Sequence, residues 1–426
     1  MCVRKIKESK NVETFKIVQM KKIGILTYNR ALNFGANLQA CSTYCYLQKH
    51  GYAPIFISYT PADAVNENQA CPSEQVVVQR EFQHQFASTA PCHNAKEVAD
   101  VLKTEGIRNV IIGSDAVAQH HPFLSRVVFP SRRFLTVIHP SSDKMFPNPF
   151  WGDFLDFTKD DVCVSLMSVS NQQSDYKRFS SRERREMMRY LERFKYISVR
   201  DDWTQSMYKY ISKGGIIPVI TPDPVFGFNE NVDFVPSREE LSKKFHLPDK
   251  YILLALRKGR STSAEWVSAF ETICEKNGFE CIGLPFPYGF VPNNVTKKKF
   301  QLPMTPIEWY SLIKYSNGYV GHNMHTIVSA LHNAVPCFSF DQYGRRILSQ
   351  FVVNRSSKIY HILKRAGFED YRSVSVTVFD RTPTPQSVFD KLMLFDTEKC
   401  KKFAAGYYQE YLKMMESIQS KFIENE

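Results

Sequence analysis

One stretch, residues 319–340 (YVGHNMHTIVSALHNAVPCFSF), constrains the fold more than any other part of the chain. Its first four residues carry the signal of a short buried strand. Residues 323–332 then turn helical, with Ile327, Val328, Ala330 and Leu331 at helix-face spacing. A tight connection through Asn333 and Pro336 leads into a second apolar strand, 337–340. Strand, helix, strand is the repeating unit of a parallel sheet. His325 falls at the start of the helix, beyond the carboxyl end of a strand. Open α/β sheets place ligands there, and unpaired helix N–H groups favour anions there. A capping or packing histidine is the competing reading, and Asn323 and Met324 share its position at the mouth of the unit.

The same unit recurs along the chain. KIGILT (22–27) predicts an opening strand and YNRALNFGAN (28–37) a loop at its ligand edge, in which Asn33, Gly35 and Asn37 are candidate pocket residues as well as turn formers. A helix is expected over 36–50, closed by Gly51, and a strand over 54–59. A further helix is expected over 73–86. A buried strand at 109–112 runs into Gly113, Ser114 and Asp115, where the aspartate suits either a cap or a substrate hydroxyl. The proline- and aromatic-rich segment 140–154 reads as a surface loop over a site. After a strand at 162–168 and a capping-box helix from Ser180 and Glu183, the strand 196–199 delivers Arg200 to the carboxyl edge. Its planar donor fork suits a carboxylate or phosphate. Further units follow at 251–256, 263–277, 280–284 and 305–315, and a helix is expected over 344–352 with Arg345 and Arg346 near its start, a placement that hints at anion contact.

At 426 residues two domains are the natural expectation. The boundaries read as an extension over 1–20 outside the fold, an N-terminal Rossmann-like domain over 21–228, and a linker over 229–250. A C-terminal Rossmann-like domain over 251–395 follows, and a helix over 396–426 packs back across both. No apolar run reaches the roughly 18–20 residues of a membrane span, and the first twenty residues lack a signal-peptide core. A cytoplasmic protein is expected. The net charge of +12 suits an anionic small substrate or a phospholipid surface. Nucleic acid is disfavoured because the basic residues are spread out and no binding module is apparent. The ten cysteines include no CxxC and read as reduced core thiols, and no metal-ligand cluster is apparent.

Taken in order, KIGILTYNRALNFGANLQACSTYCYLQKHGY, IIGSD, ISVRDD, TPDPVF and the segment leading to His325 resemble the polysaccharide pyruvyl transferase family over about three hundred residues. The resemblance implies an α/β protein of two Rossmann-like domains with parallel sheets facing a cleft, as in GT-B glycosyltransferases. It also implies transfer of a pyruvyl group from phosphoenolpyruvate to a sugar as a ketal. Arg200 would match the donor-binding arginine, His325 the motif histidine, and Arg346 the arginine after the last strand. No cofactor or metal is implied, phosphoenolpyruvate being a substrate. The acceptor would be a sugar of a glycan or a lipid-linked precursor, with peripheral membrane contact through the basic surface and amphipathic tail as the accompanying expectation. The chain departs from the family pattern at His322, Asn323, Met324 and Thr326 around the histidine, and at Ala116 and Ala118 after the glycine-serine-aspartate turn. A nucleotide-sugar glycosyltransferase of the same architecture and a non-catalytic glycan- or partner-binding relative are the alternatives.

Overall fold

The computed structural model describes residues 20–64, 71–131, 134–158, 161–256, 262–288, 296–347, 351–374 and 382–423. The expected extension over 1–20 lies outside these residues except for Met20.

The first half contributes β1 (Lys22–Leu26), β2 (Ala53–Phe56), β3 (Asn109–Asp115), β4 (Val127–Ser131), β5 (Phe134–Val137), β6 (Cys163–Val169), β7 (Tyr196–Val199) and β8 (Val219–Ile220). The second contributes β9 (Tyr251–Ala255), β10 (Glu280–Gly283), β11 (Lys298–Lys299), β12 (Gly318–Gly321), β13 (Cys337–Asp341), β14 (Arg345–Ile347), β15 (Phe351–Val353) and β16 (Arg372–Val374). Two six-stranded sheets result, in the orders β2-β1-β3-β6-β7-β8 and β11-β10-β9-β12-β13-β16. Every ladder in both is parallel. This is the expected pair of Rossmann-like α/β units. Strand order reverses between β1 and β3 in one sheet and between β9 and β12 in the other, and ligands of open α/β sheets bind in the crevice at such switch points.

One apolar core runs through both halves. Phe34 and Leu38 of the helix Phe34–Lys49 are buried together with Leu253, Trp309 and Leu312 of the second half. The Phe34 and Trp309 rings lie 5.6 Å apart, and the Phe34 amide donates to the Pro287 carbonyl at 2.8 Å. From the helix Ser73–His84, the Gln75 side chain exchanges two 2.8 Å hydrogen bonds with the backbone of Met304. The stretch read as a linker is itself packed: the Asn231 amide donates to Ser42 Oγ at 2.9 Å and to Tyr411 Oη at 3.0 Å, and Leu241 is buried.

The C-terminal helix Thr397–Gln419 buries Cys400 and Tyr407 in the core of the second half, and Tyr411, Met414, Met415 and Ile418 against the first sheet. Its apolar face is therefore used inside the protein. Among the described residues no helix is long and apolar enough to cross a membrane.

Two expectations are corrected. In place of the helix expected over 344–352, the described residues there form β14 and β15, which pair antiparallel, with Gly344 at φ 112° and Ser356 Oγ accepting from the Arg345 amide at 2.6 Å. Apolar spacing at Ile347, Phe351 and Val352 fits a short hairpin as well as a helix. Segment 140–154 is no solvent-borne loop. Phe150, Trp151 and Phe154 are buried with Met187, Tyr190 and Tyr208, and the Asn148 amide ties together three carbonyls of its own turn at 2.7–3.2 Å.

Candidate functional site

A cavity of about 790 Å³ opens at the switch points of both sheets, within the roughly 300–1,000 Å³ usual for small-molecule sites. One wall comes from the β1 loop (Tyr28, Arg30, Asn33) and the end of β3 (Asp115, Ala116). Another comes from the start of the helix Met324–His332 (Asn323, Met324, His325) and from Lys358. Segment 141–150 adds Ser141, Asp143, Lys144 and Phe150. An aromatic floor is formed where Phe150 meets Tyr28 at 4.9 Å and Tyr59 at 5.4 Å between ring centroids.

His325 is placed by local chemistry. Asn323 caps its helix, with Oδ1 accepting from the His325 amide at 2.9 Å and the Thr326 amide at 3.3 Å. Asparagine thus supplies the same capping oxygen that a serine at this position would. Across the cavity Gly35 makes room for the imidazole: a Cβ at position 35 would lie 2.0 Å from His325 Nδ1. Gly35→Ala must therefore displace the ring. It is expected to destabilise the protein by about 1–3 kcal/mol as an overpacking change, read by urea unfolding, and to shift the His325 imidazole resonances.

Arg200, at the end of β7, is 4% exposed and anchored by charge. Its Nη1 donates to Asp223 Oδ2 at 2.8 Å, and Nη2 stands 3.9 Å from Asp115 Oδ1. Asp223 also accepts from the Gln39 amide and, at 3.1 Å, from the Val225 amide. Arg200 lines a small void shared with Asp223, Met324, Lys358 and His361, and it is Met324 and Lys358 that also face the main cavity. The arginine therefore stands one layer behind the cavity wall.

Lys358, the first residue of the helix Lys358–Ala366, is 7% exposed and donates to Gln172 Oε1. Burial and the neighbouring Arg200 charge bring its ammonium down to about 8, against the pull of Asp115, Asp201 and Asp223. Burial would likewise lower the Arg200 guanidinium, but Asp223, Asp115 and Asp201 outweigh it and raise its pKa, so it stays charged. Burial would raise the Asp115 carboxyl; His325 when protonated, Arg200 and Lys358 hold it below the usual carboxylate range instead. The His325 imidazole is pushed down by burial, with Asp115 and Asp223 pulling it back up. Each shift reflects cations and carboxylates crowded around one buried spot. Several buried polar atoms there, Arg200 Nε and Nη2, His325 Nε2 and Ser114 Oγ, make no hydrogen bond within the described chain. Such a convergence of unmatched donors is the polar surface an anion would satisfy.

The residues singled out in the sequence fall in different places. Asn33, Asp115, Asn323, Met324 and His325 line the cavity, and Gly35 shapes it. Arg200 and the buried Ser114 stand behind the wall. Asn37 holds the loop from beneath, its amide donating to the Asn29 and Ala31 carbonyls and its Oδ1 accepting from Gln79 at 3.0 Å. The backbone of Arg346 lies in β14, and its side chain is outside the described residues. Sequence reasoning missed Lys358 and Asp223. Asp223 stood in view as a turn residue between Pro222 and Pro224, while nothing local to Lys358 marks it. Among the described residues no group of three or more His, Cys, Asp or Glu side chains could hold a metal ion.

No curated protein matches the chain in sequence. Solved structures similar to it include a UDP-N-acetylglucosamine 2-epimerase (10% identity, 96% of this chain and 98% of that chain covered, TM-score 0.51). Others are the UDP-N-acetylglucosamine 2-epimerase from Rickettsia bellii (10%, 94% and 97%, TM-score 0.50) and LpCGTa in complex with UDP (10%, 94% and 98%, TM-score 0.50). At such identities the likeness shows the fold alone, two parallel-sheet domains of the GT-B kind. The family profile described as Polysaccharide pyruvyl transferase matches residues 95–342, more than half of the sequence and inclusive of Asp115, Arg200, Asp223 and His325. The chain belongs to the polysaccharide pyruvyl transferase family.

Proposed function

We propose that the protein is a transferase that moves the pyruvyl group of phosphoenolpyruvate onto a sugar of a glycan or lipid-linked precursor, forming a ketal, in the cytoplasm or at its membrane face. The observation that carries this reading is the convergence of Lys358 and His325 on one end of the cavity with Arg200 and its unmatched Nε and Nη2 directly behind them. Phosphoenolpyruvate brings a phosphate and a carboxylate, and these are the groups such donors hold. Membership of the family supports the same chemistry.

In this reading Lys358 on the wall and Arg200 behind it supply the positive charge that meets the donor's two anionic groups, and His325 gives a proton to the methylene carbon. That proton turns the carbon that bears the enol phosphate oxygen into an oxocarbenium-like centre. One acceptor hydroxyl adds to that centre, the C–O bond to phosphate breaks, and a second hydroxyl closes the ketal. One hydroxyl proton restores His325 and the other leaves with phosphate. Asp115, held ionised, is the carboxylate nearest this chemistry that can take a hydroxyl proton in transit. The His325 pKa lies low in the free protein, and the negative charge of bound phosphoenolpyruvate raises it toward the range a proton donor needs.

Lys358 gives the proposal a signature in pH. Its ammonium is charged below about pH 8 and neutral above it, so the anion grip is complete on the acid side and is lost as pH rises through 8. Phosphoenolpyruvate affinity is expected to fall roughly five- to tenfold between pH 7 and pH 9, because a hydrogen bond to a charged group is worth about 10- to 100-fold and about a tenth of the ammonium is still charged one unit above its pKa. Calorimetric titrations at pH 7 and pH 9 measure it. Lys358→Arg, charged throughout, is expected to flatten the pH dependence. A wild-type affinity unchanged between the two pH values would remove Lys358 from the donor grip.

A further inference from the structure

A second cationic feature of the cavity is not used by the donor. The helix Ser73–His84 fastens the β1 loop from the outside through three side chains. Gln79 donates to Asn37 Oδ1 at 3.0 Å, Gln83 to the Ala31 carbonyl at 2.9 Å, and Arg80 Nη1 to the Arg30 carbonyl at 2.6 Å. Arg80 Nη1 also reaches Gln83 Oε1 at 2.8 Å. Arg30 and Arg80 both line the cavity and both are half-buried. Among the described residues neither guanidinium pairs with a carboxylate. The two carboxylates on the cavity wall are engaged elsewhere: Asp115 by Arg200 and the Ala116 amide, and Asp143 by Tyr28 Oη at 2.9 Å. Burial and the neighbouring Arg30 charge both disfavour the Arg80 guanidinium, and two like charges in one partly desolvated wall, with no carboxylate paired to either among the described residues, are costly unless an anion joins them. The pair lies on first-half elements, whereas Lys358 and His325 lie on second-half ones, so cationic groups reach the cavity from both halves.

We propose that Arg30 and Arg80 form an anion subsite that takes a phosphate or diphosphate carried by the acceptor, so that the acceptor is a phosphate-bearing sugar and not a neutral glycan. The inference deepens the pyruvyl transfer reading and rests on it for the word acceptor. The subsite itself does not depend on that reading. Inorganic pyrophosphate, titrated calorimetrically into the full-length protein saturated with phosphoenolpyruvate, is expected to bind. Arg30→Ala and Arg80→Gln, the latter keeping a donor for the Arg30 carbonyl, are expected to weaken pyrophosphate at least tenfold and to leave phosphoenolpyruvate binding unchanged. Lys358→Ala is expected to do the reverse. UDP and farnesyl diphosphate separate the two sources of the group: tighter binding of the first supports a nucleotide-borne acceptor, of the second a lipid-borne one. Pyrophosphate that fails to bind at millimolar concentration, that displaces phosphoenolpyruvate one for one, or that is indifferent to both arginine variants overturns the subsite. Pyrophosphate binding lost in the arginine variants, in a protein that does not bind phosphoenolpyruvate at all, supports the subsite and overturns the donor reading.

Discussion

His325→Ala is expected to lower pyruvyl transfer by about 10²- to 10⁴-fold, the range over which a positioned general acid acts, while phosphoenolpyruvate affinity stays within a few fold of wild type. The split follows from the division of labour at the site. The donor's charge is met by Lys358 and Arg200, which the substitution does not touch. His325 Nε2, which makes no hydrogen bond within the described chain, supplies the proton. Acceptor-dependent release of phosphate from phosphoenolpyruvate gives the rate, and calorimetry gives the affinity. Wild-type turnover in the variant would return the histidine to the packing role that its contact with Gly35 also allows. A loss confined to affinity would make it a donor ligand instead.

Arg200→Ala is expected to destabilise the protein by about 3–5 kcal/mol, because it strips the counter-charge from a carboxylate buried beside it. Asp223 is 2% exposed and keeps only the Gln39 and Val225 donors once Arg200 is gone. Urea unfolding measures the loss. The double variant Arg200→Gln with Asp223→Asn is expected to recover much of it, since two neutral amides remove the uncompensated charge. A single variant as stable as wild type would mean that the ion pair is not closed in solution. Because Asp223 also fastens the Pro222–Pro224 turn to Gln39 of the first helix, damage at Arg200 reaches the wall that carries Gly35. Affinity measurements on this variant therefore need the folded fraction established first.

Most of the architecture was legible in the sequence because its signals are local. Helix starts carry their own chemistry, as in the Ser180–Glu183 capping box, formed as expected, and the Thr305–Glu308 box that opens the helix Pro306–Lys314. Strand ends announce themselves through short apolar runs that stop at small or polar residues, and this pattern alone assigns Asp115, Arg200 and His325 to carboxyl edges. The alternation of such units then gives two parallel sheets. What local signals cannot carry is pairing between distant segments. Lys358 begins an ordinary helix in the sequence, and only the packing of that helix against β13 and the helix Met324–His332 brings it beside Gln172 and Asp115. Asn37 looked the equal of Asn33 in the loop, yet one turn of helix separates a residue that faces the cavity from one that holds the loop to Gln79. The aromatics of 140–154 were read from their prolines and glycine as a surface loop. Burial of Phe150, Trp151 and Phe154 against Tyr190 and Tyr208 depends on two helices that the local composition does not reveal.

Calorimetric titration of phosphoenolpyruvate into the wild-type protein at pH 7, beside a nucleotide sugar such as UDP-N-acetylglucosamine, tests the account most directly. The account predicts saturable binding of phosphoenolpyruvate that is lost in Lys358→Ala and kept in His325→Ala. Tight binding of the nucleotide sugar, with no phosphoenolpyruvate bound at millimolar concentration, would contradict it and assign the same cavity to glycosyl transfer.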